Sequence, residues 1–262
     1  MLPQSVIFLH IPKTAGTTLY RIMDRHYRRE AVYTIWQDGT LDDFKHLSPA
    51  RRSQIRLLRG HVGLGLHEFL SGPTSYFTFL REPIDRVISY YHYVRRTPQH
   101  YCYELVTSQR LGLKEFVESR TDPMLDKAQT RLLSGLATGQ EVPFGECTAD
   151  LLEAARRNLR ERMAVIGLTD EFDQTLLLLK KAFGWNKLFY ARQNVSTDST
   201  GRHDLEPATL DAIVKVNQLD LELYRYAKEL FAGQLRQQNE SFVQEVRSFQ
   251  NTNRRLRPLL YL

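Results

Sequence analysis

The chain has 262 residues, 42% of them apolar and 25% charged, with a formal net charge of +6. These values exclude a disordered chain, and the length suits one α/β domain with additions, large enough to bury a core without staples. The positive balance favours an anionic partner but leaves open whether it is a phosphorylated cofactor, an acidic glycan or nucleic acid. The two cysteines, Cys102 and Cys147, have neither CxxC nor zinc spacing and read as reduced thiols in a cytoplasmic, reducing setting. No signal peptide or apolar run of membrane-spanning length is legible, so the sequence reads as that of a soluble protein.

In chain order, the first apolar run of strand length is 6–9, followed by a helical pattern over 17–29 with Leu19, Ile22, Met23 and Tyr27 on one face. Further strand-length runs fall at 32–36, 55–58, 76–80 and 164–166. Residues 83–95 carry Ile84, Val87, Ile88 and Tyr91 at helical spacing, with Pro83 in the first turn. Helices are predicted over 149–161 and 171–183, the second capped by Thr169 or Asp170 and ended by Gly184. Residues 97–147 read as a mostly helical insertion, 193–204 as a polar loop and 206–231 as one helix. Strands alternating with helices predict an α/β, P-loop-like three-layer fold whose central, mostly parallel sheet is flanked by helices. The main domain is expected over 1–233. A helical basic tail over 234–262 docks on it, pairs with another chain or frays. The tail's apolar ending RPLLYL leaves a homodimer and a peripheral membrane contact open.

Ligands of open parallel sheets bind beyond the carboxyl ends of the strands, and three such ends carry chemistry here. The first is the stretch FLHIPKTAGTTL, residues 8–19, where a strand passes through a tight turn into a helix. Backbone N–H groups of Ala15, Gly16, Thr17 and Thr18 would face an anion at the helix N-terminus. Gly16 would allow close approach, and Lys13, Thr17 and Thr18 would add donors. The lysine precedes the glycine, so the turn lacks the Gly-Lys-Ser/Thr ending of a Walker A loop. A nucleotide kinase or NTPase-like protein is accordingly the weaker alternative. No acidic strand end suits Mg²⁺ and no metal is expected. The bland alternative is a turn with an N-capping threonine.

The second strand end holds Arg81, with Ser89 two turns into the following helix, a fork for a second phosphate. Its plain alternative is a surface ion pair of Arg81 with Glu82 or Asp85. The third is His61 in RGHVG, a candidate proton acceptor at neutral pH. His10 shapes the turn, and the other histidines have no such context. Tyr90, Tyr91, Tyr93, Tyr101 and Tyr103 either stack on sugars or belong to the core. The basic residues are dispersed, and nucleic acid is not an expected partner.

Together these segments resemble the sulfotransferases that use 3′-phosphoadenosine 5′-phosphosulfate (PAPS), in particular the heparan-sulfate and uronyl 2-O-sulfotransferase branch and its bacterial relatives. HIPKTAGTTL resembles the 5′-phosphosulfate loop of that family. LREPIDRVISYYHYVRR resembles its 3′-phosphate element, and GHVG the stretch with the catalytic base. KAQTRLLSG (127–135) and LDLELYRYAKELF (219–231) share the family look, so the likeness runs from about residue 5 to 231. The resemblance implies a PAPS-dependent O-sulfotransferase that releases adenosine 3′,5′-bisphosphate and acts on a hydroxyl acceptor, most simply a carbohydrate. It implies Lys13 at the phosphosulfate bridge, Thr14, Ala15, Gly16, Thr17 and Thr18 around the 5′-phosphate, Arg81 and Ser89 on the 3′-phosphate, and His61 as base.

Overall fold

The computed structural model describes residues 4–135, 142–191 and 201–256. Five strands form one sheet: β1 (Ser5–Leu9), β2 (Val32–Thr34), β3 (Leu57–Gly60), β4 (Thr74–Leu80) and β5 (Met163–Leu168). Their order is β2-β3-β1-β4-β5, and every pairing is parallel. Successive side chains of a strand point to opposite faces, yet all five residues of β1 are buried. Both faces of the sheet are therefore covered, as the alternation of strands and helices predicts. Each large side chain so buried contributes about 1.5–3 kcal/mol relative to exposure.

The helices in chain order are α1 (Gly16–Met23), α2 (Leu41–Lys45), α3 (Pro49–Gln54), α4 (Pro83–Arg95), α5 (Tyr103–Ser108), α6 (Leu113–Glu118), α7 (Ala128–Leu133), α8 (Ala149–Arg162), α9 (Phe172–Phe183), α10 (Pro207–Val216), α11 (Gln218–Arg236) and α12 (Ser241–Leu256). A second apolar cluster, built on Val87, Val94, Phe116 and Ile213, packs α4, α6 and α10 together beside the main core. Among the described residues no helix is long and apolar enough to cross a membrane.

Several boundaries differ from the sequence reading for tertiary reasons. The first helix stops at Met23, not residue 29. His26 donates from Nδ1 to the Ile22 carbonyl and accepts the N–H groups of Asn186 and Lys187 on Nε2, so the chain there is held by a distant segment. Strand β2 ends at Thr34, whose N–H is taken by the Asp38 carboxylate at 2.7 Å, and the chain then turns at Trp36 with φ of 73°. The single helix expected over 206–231 is broken at Asn217. That buried side chain donates to the Leu125 and Ile213 carbonyls and accepts the Lys127 N–H.

The expected domain border at residue 233 falls inside α11. Beyond it, α12 buries Phe242, Val246 and Phe249 in the main core, and its Asn253 accepts the Tyr190 N–H at 2.8 Å. The apolar ending 257–262 and most of the predicted loop 193–204 lie outside the described residues.

The sheet order reverses at β1, with β2 and β3 on one side and β4 and β5 on the other. In parallel sheets the crevice beyond such a switch point is the place where ligands bind. Here it falls on the loop between β1 and α1.

Candidate active site

The loop after β1 is held open by its own backbone. The His10 N–H donates to the Gly60 carbonyl at 3.0 Å, and Lys13 and Ala15 take left-handed φ of 72° and 65°. Ala15 is the N-cap of α1, and no side chain caps the helix. Left-handed Ala15 followed by helical Gly16 is the alternation that turns successive N–H groups toward one point, and the helix dipole adds partial positive charge there. The threonine cap considered from the sequence is not formed.

Thr14 departs from its expected place. It is fully buried, and its hydroxyl donates to the Ile11 carbonyl at 2.8 Å, so it holds the turn and stays off the cavity wall. Gly16 lines the cavity as expected, but a Cβ there would lie 2.0 Å from Nε2 of His10. The glycine thus makes room for an imidazole. Gly16→Ala is expected to displace His10 and cost about 1–3 kcal/mol of stability, measured by urea denaturation. An unchanged midpoint would mean that His10 swings away freely.

A cavity of about 510 Å³ lies over the switch point. Lys13, Ala15, Gly16, Thr17 and Thr18 line it from the first loop, His61 from the end of β3, and Arg81 and Ser89 from the end of β4 and from α4. One cleft thus gathers all the expected residues except Thr14. The Ser89 side chain makes no hydrogen bond among the described residues and lines the cavity.

Three cations converge there: Lys13, Arg81 and Arg96. Among the described residues none of them has a carboxylate within 4.0 Å. The ion pair considered for Arg81 is absent, because the Glu82 carboxylate accepts the Asp85 N–H at the start of α4 and reaches Arg202 at 3.6 Å. Arg81 donates from Nη1 to the Lys13 carbonyl at 3.3 Å, which ties the second strand end to the first loop. The Lys13 ammonium sits 4.4 Å from the centre of the Tyr93 ring. Burial, then Arg96 and Arg81, push its pKa down to about 8.

His61 is exposed at the cavity wall. Its Nδ1 lies 2.9 Å from the His10 carbonyl, which only accepts, so Nδ1 carries the proton and Nε2 keeps a lone pair. Desolvation depresses its pKa below 6.5, aided by Lys13 and opposed by the bond to His10. The His10 ring lies 4.5 Å from that of His61, tilted by 30°, touches the Tyr20 hydroxyl at 3.2 Å and is held neutral chiefly by burial. The arrangement offers a neutral base beside a strongly cationic, anion-shaped cleft.

Sequence reasoning missed Arg96, Asp170 and Tyr190 on this wall. Ser89 and Tyr93 on α4 and Arg96 at its C-cap stand at i, i+4 and i+7, a spacing that puts them on one side of the helix and was readable. Thr169 and Asp170, one or the other expected to cap α9, both line the cavity; the N-cap of α9 is Glu171. Tyr190 gave no local signal, since α12 positions it through Asn253.

Tyr90 also lines the cavity, backed by His100, Cys102 and Asp122, whose ligand atoms all lie within 4.8 Å. The Cys102 N–H donates to Nδ1 of His100, so the proton sits on Nε2 and is given to the Tyr90 hydroxyl at 3.0 Å, which in turn donates to Asp122 at 2.6 Å. The imidazole keeps no lone pair for a metal, and the chain of donors fixes the tyrosine.

A model described as the sulfotransferase family matches residues 3–227, and the chain belongs to that family. Among curated proteins it is 29% identical over 274 residues to heparan-sulfate 6-O-sulfotransferase 1 of Homo sapiens, covering 86% of this chain and 65% of that protein. It is 27% identical to heparan-sulfate 6-O-sulfotransferase 2 of Gallus gallus, covering 96% and 72%. The chain thus spans about two thirds of the length of such relatives. These relatives carry the 6-O name, whereas the sequence resemblance points to the 2-O branch; the family is the same. A solved structure of mouse sulfotransferase SULT7A1 complexed with PAP aligns over 95% of this chain and 89% of its own, with a TM-score of 0.40 and 14% identity.

Proposed function

We propose that the protein is a PAPS-dependent O-sulfotransferase acting on a carbohydrate hydroxyl. One observation carries this reading: Lys13, Arg81 and Arg96, without carboxylate partners among the described residues, share a single cleft with an uncapped helix N-terminus and the His61 imidazole, whose Nδ1 faces the His10 carbonyl. A donor with phosphate at both ends of a nucleoside fits that set, and the names of the relatives support a glycan acceptor.

In this reading the N–H groups of Ala15, Gly16, Thr17 and Thr18, with the hydroxyls of Thr17 and Thr18, hold the 5′-phosphate. Arg81 and Ser89 hold the 3′-phosphate, and Lys13 stands at the bridging oxygen. Thr14 acts only by bracing the turn. The donor supplies an electron-poor sulfuryl group. His61 accepts the acceptor's hydroxyl proton on Nε2 as the new O–S bond forms and the bridging S–O bond breaks. Lys13 balances the charge left on the departing phosphate. Alignment and charge stabilisation are the main work of the chain, as in phosphoryl transfer.

Calorimetry with adenosine 3′,5′-bisphosphate, 5′-AMP and MgATP tests the nucleotide, and labelled PAPS with a panel of glycans tests the acceptor. The bisphosphate is expected to bind best. Preference for MgATP would favour a kinase instead. Arg81→Ala is expected to weaken the bisphosphate by about 1.5–3 kcal/mol, the worth of a hydrogen bond to a charged group, while 5′-AMP is nearly unaffected. Equal losses for both nucleotides would remove Arg81 from the 3′-phosphate.

A further inference from the structure

Arg81 sits one residue past the end of β4, where the sheet no longer holds the backbone. Strand β1 stops pairing with β4 at Leu9 and Thr78, and β5 reaches only Leu80, whose carbonyl takes the Thr169 N–H. The backbone N–H and C=O of Arg81 are paired nonetheless. Gln129, at the start of α7, accepts the Arg81 N–H on Oε1 at 3.0 Å and donates from Nε2 to the Arg81 carbonyl at 2.9 Å. A carboxamide matches a peptide group donor for acceptor, so this side chain extends the sheet by one residue where no strand is available.

Gln129 is itself anchored. It is fully buried, as are its neighbour Thr130 and the carboxylate of Asp220 on α11. Asp220 accepts the Gln129 N–H at 3.1 Å, the Thr130 N–H at 2.8 Å and the Thr130 hydroxyl at 2.7 Å. A line of buried bonds thus runs from α11 through the first turn of α7 to the backbone of Arg81. The Arg81 guanidinium continues it to the Lys13 carbonyl. Gln129 grips only the backbone of Arg81, and the guanidinium lines the cavity.

We infer that Gln129 is a positioning residue that aims Arg81 at the 3′-phosphate of the nucleotide, an inference that rests on the proposed role of Arg81. It acts through Arg81 alone and touches no substrate. Nucleotide selectivity, more than global stability, reports its loss.

The test is a double-mutant cycle read by the ratio of dissociation constants for 5′-AMP and adenosine 3′,5′-bisphosphate. Gln129→Met keeps the volume and removes both hydrogen bonds. In the otherwise native chain it is expected to reduce the ratio by ~10-fold, equivalent to about 1.4 kcal/mol. In an Arg81→Ala background the same change is expected to leave the ratio unaltered, because the group it positions is gone. Gln129→Glu keeps the length and the acceptor for the Arg81 N–H but loses the donor to its carbonyl. It carries the same prediction if the methionine variant does not fold. A fall in melting temperature with an unchanged ratio, or equal effects in both backgrounds, overturns the positioning role. If Arg81→Ala alone leaves the ratio unchanged, the assignment of Arg81 fails first, and the inference with it.

Discussion

His61→Ala is expected to lower turnover by ~10²–10⁴, the usual worth of a positioned general base, with nearly native affinity for adenosine 3′,5′-bisphosphate. The separation follows from the geometry. Nδ1 of His61 is occupied by the His10 carbonyl at 2.9 Å, and the cationic side chains of the cleft come from other elements. Removing the imidazole leaves the anion site standing and takes away the proton acceptor. The pH profile gives an independent check. Desolvation at the cavity wall, with Lys13 nearby, lowers the pKa of His61 below 6.5, which favours the neutral base at pH 7. kcat/KM should therefore rise with pH through an acid limb that lies below 6.5, and that limb should be missing in the alanine variant. Equal losses of turnover and nucleotide affinity would make His61 a structural residue.

The same desolvation has a consequence for stability. An imidazole with a depressed folded pKa binds fewer protons than its unfolded counterpart at acid pH. Folding free energy is then lost as pH falls below about 6.5. His10 and His61 both contribute with this sign, and His10 is the more strongly depressed of the two.

How much of this was readable depends on the distance over which each feature is determined. Lys13, His61 and Arg81 were legible because a parallel sheet aligns the carboxyl ends of its strands, and pattern alone locates those ends. The side-chain directions within the first turn were not legible. Nothing local distinguishes Thr14, which turns inward to Ile11, from Thr17 and Thr18, which line the cavity. Gly16 looked like a concession to a phosphate, yet its missing side chain makes room for His10. Arg96 was readable in principle from its spacing to Ser89. Gln129, Asn217 and Asp220 were not, since their partners lie far away in sequence. Buried polar side chains of this kind are specified by tertiary partners, and hydrophobic periodicity does not register them.

Lys13→Ala should produce the other large loss, ~10²–10³ in turnover, comparable to removing one preorganised donor to a developing oxyanion. The expected loss in affinity for the bisphosphate is smaller, because the charge Lys13 meets grows as the bridging bond breaks. The depressed pKa supplies a second signature. With the free lysine at about 8, the nucleotide-free protein sheds the Lys13 proton as pH rises past 8, while the unfolded chain keeps it until about 10.5. Stability of the free protein contributed by this group therefore increases with pH across that window. Bound phosphate favours the charged ammonium and pulls the pKa back up. Nucleotide binding near pH 8 should then take up protons, and affinity should fall as pH rises further. Calorimetry in two buffers of different ionisation enthalpy measures the uptake directly. The native protein is expected to show it and Lys13→Ala to lose it. Uptake that persists in the variant would assign the proton to another group and separate Lys13 from the bridging oxygen.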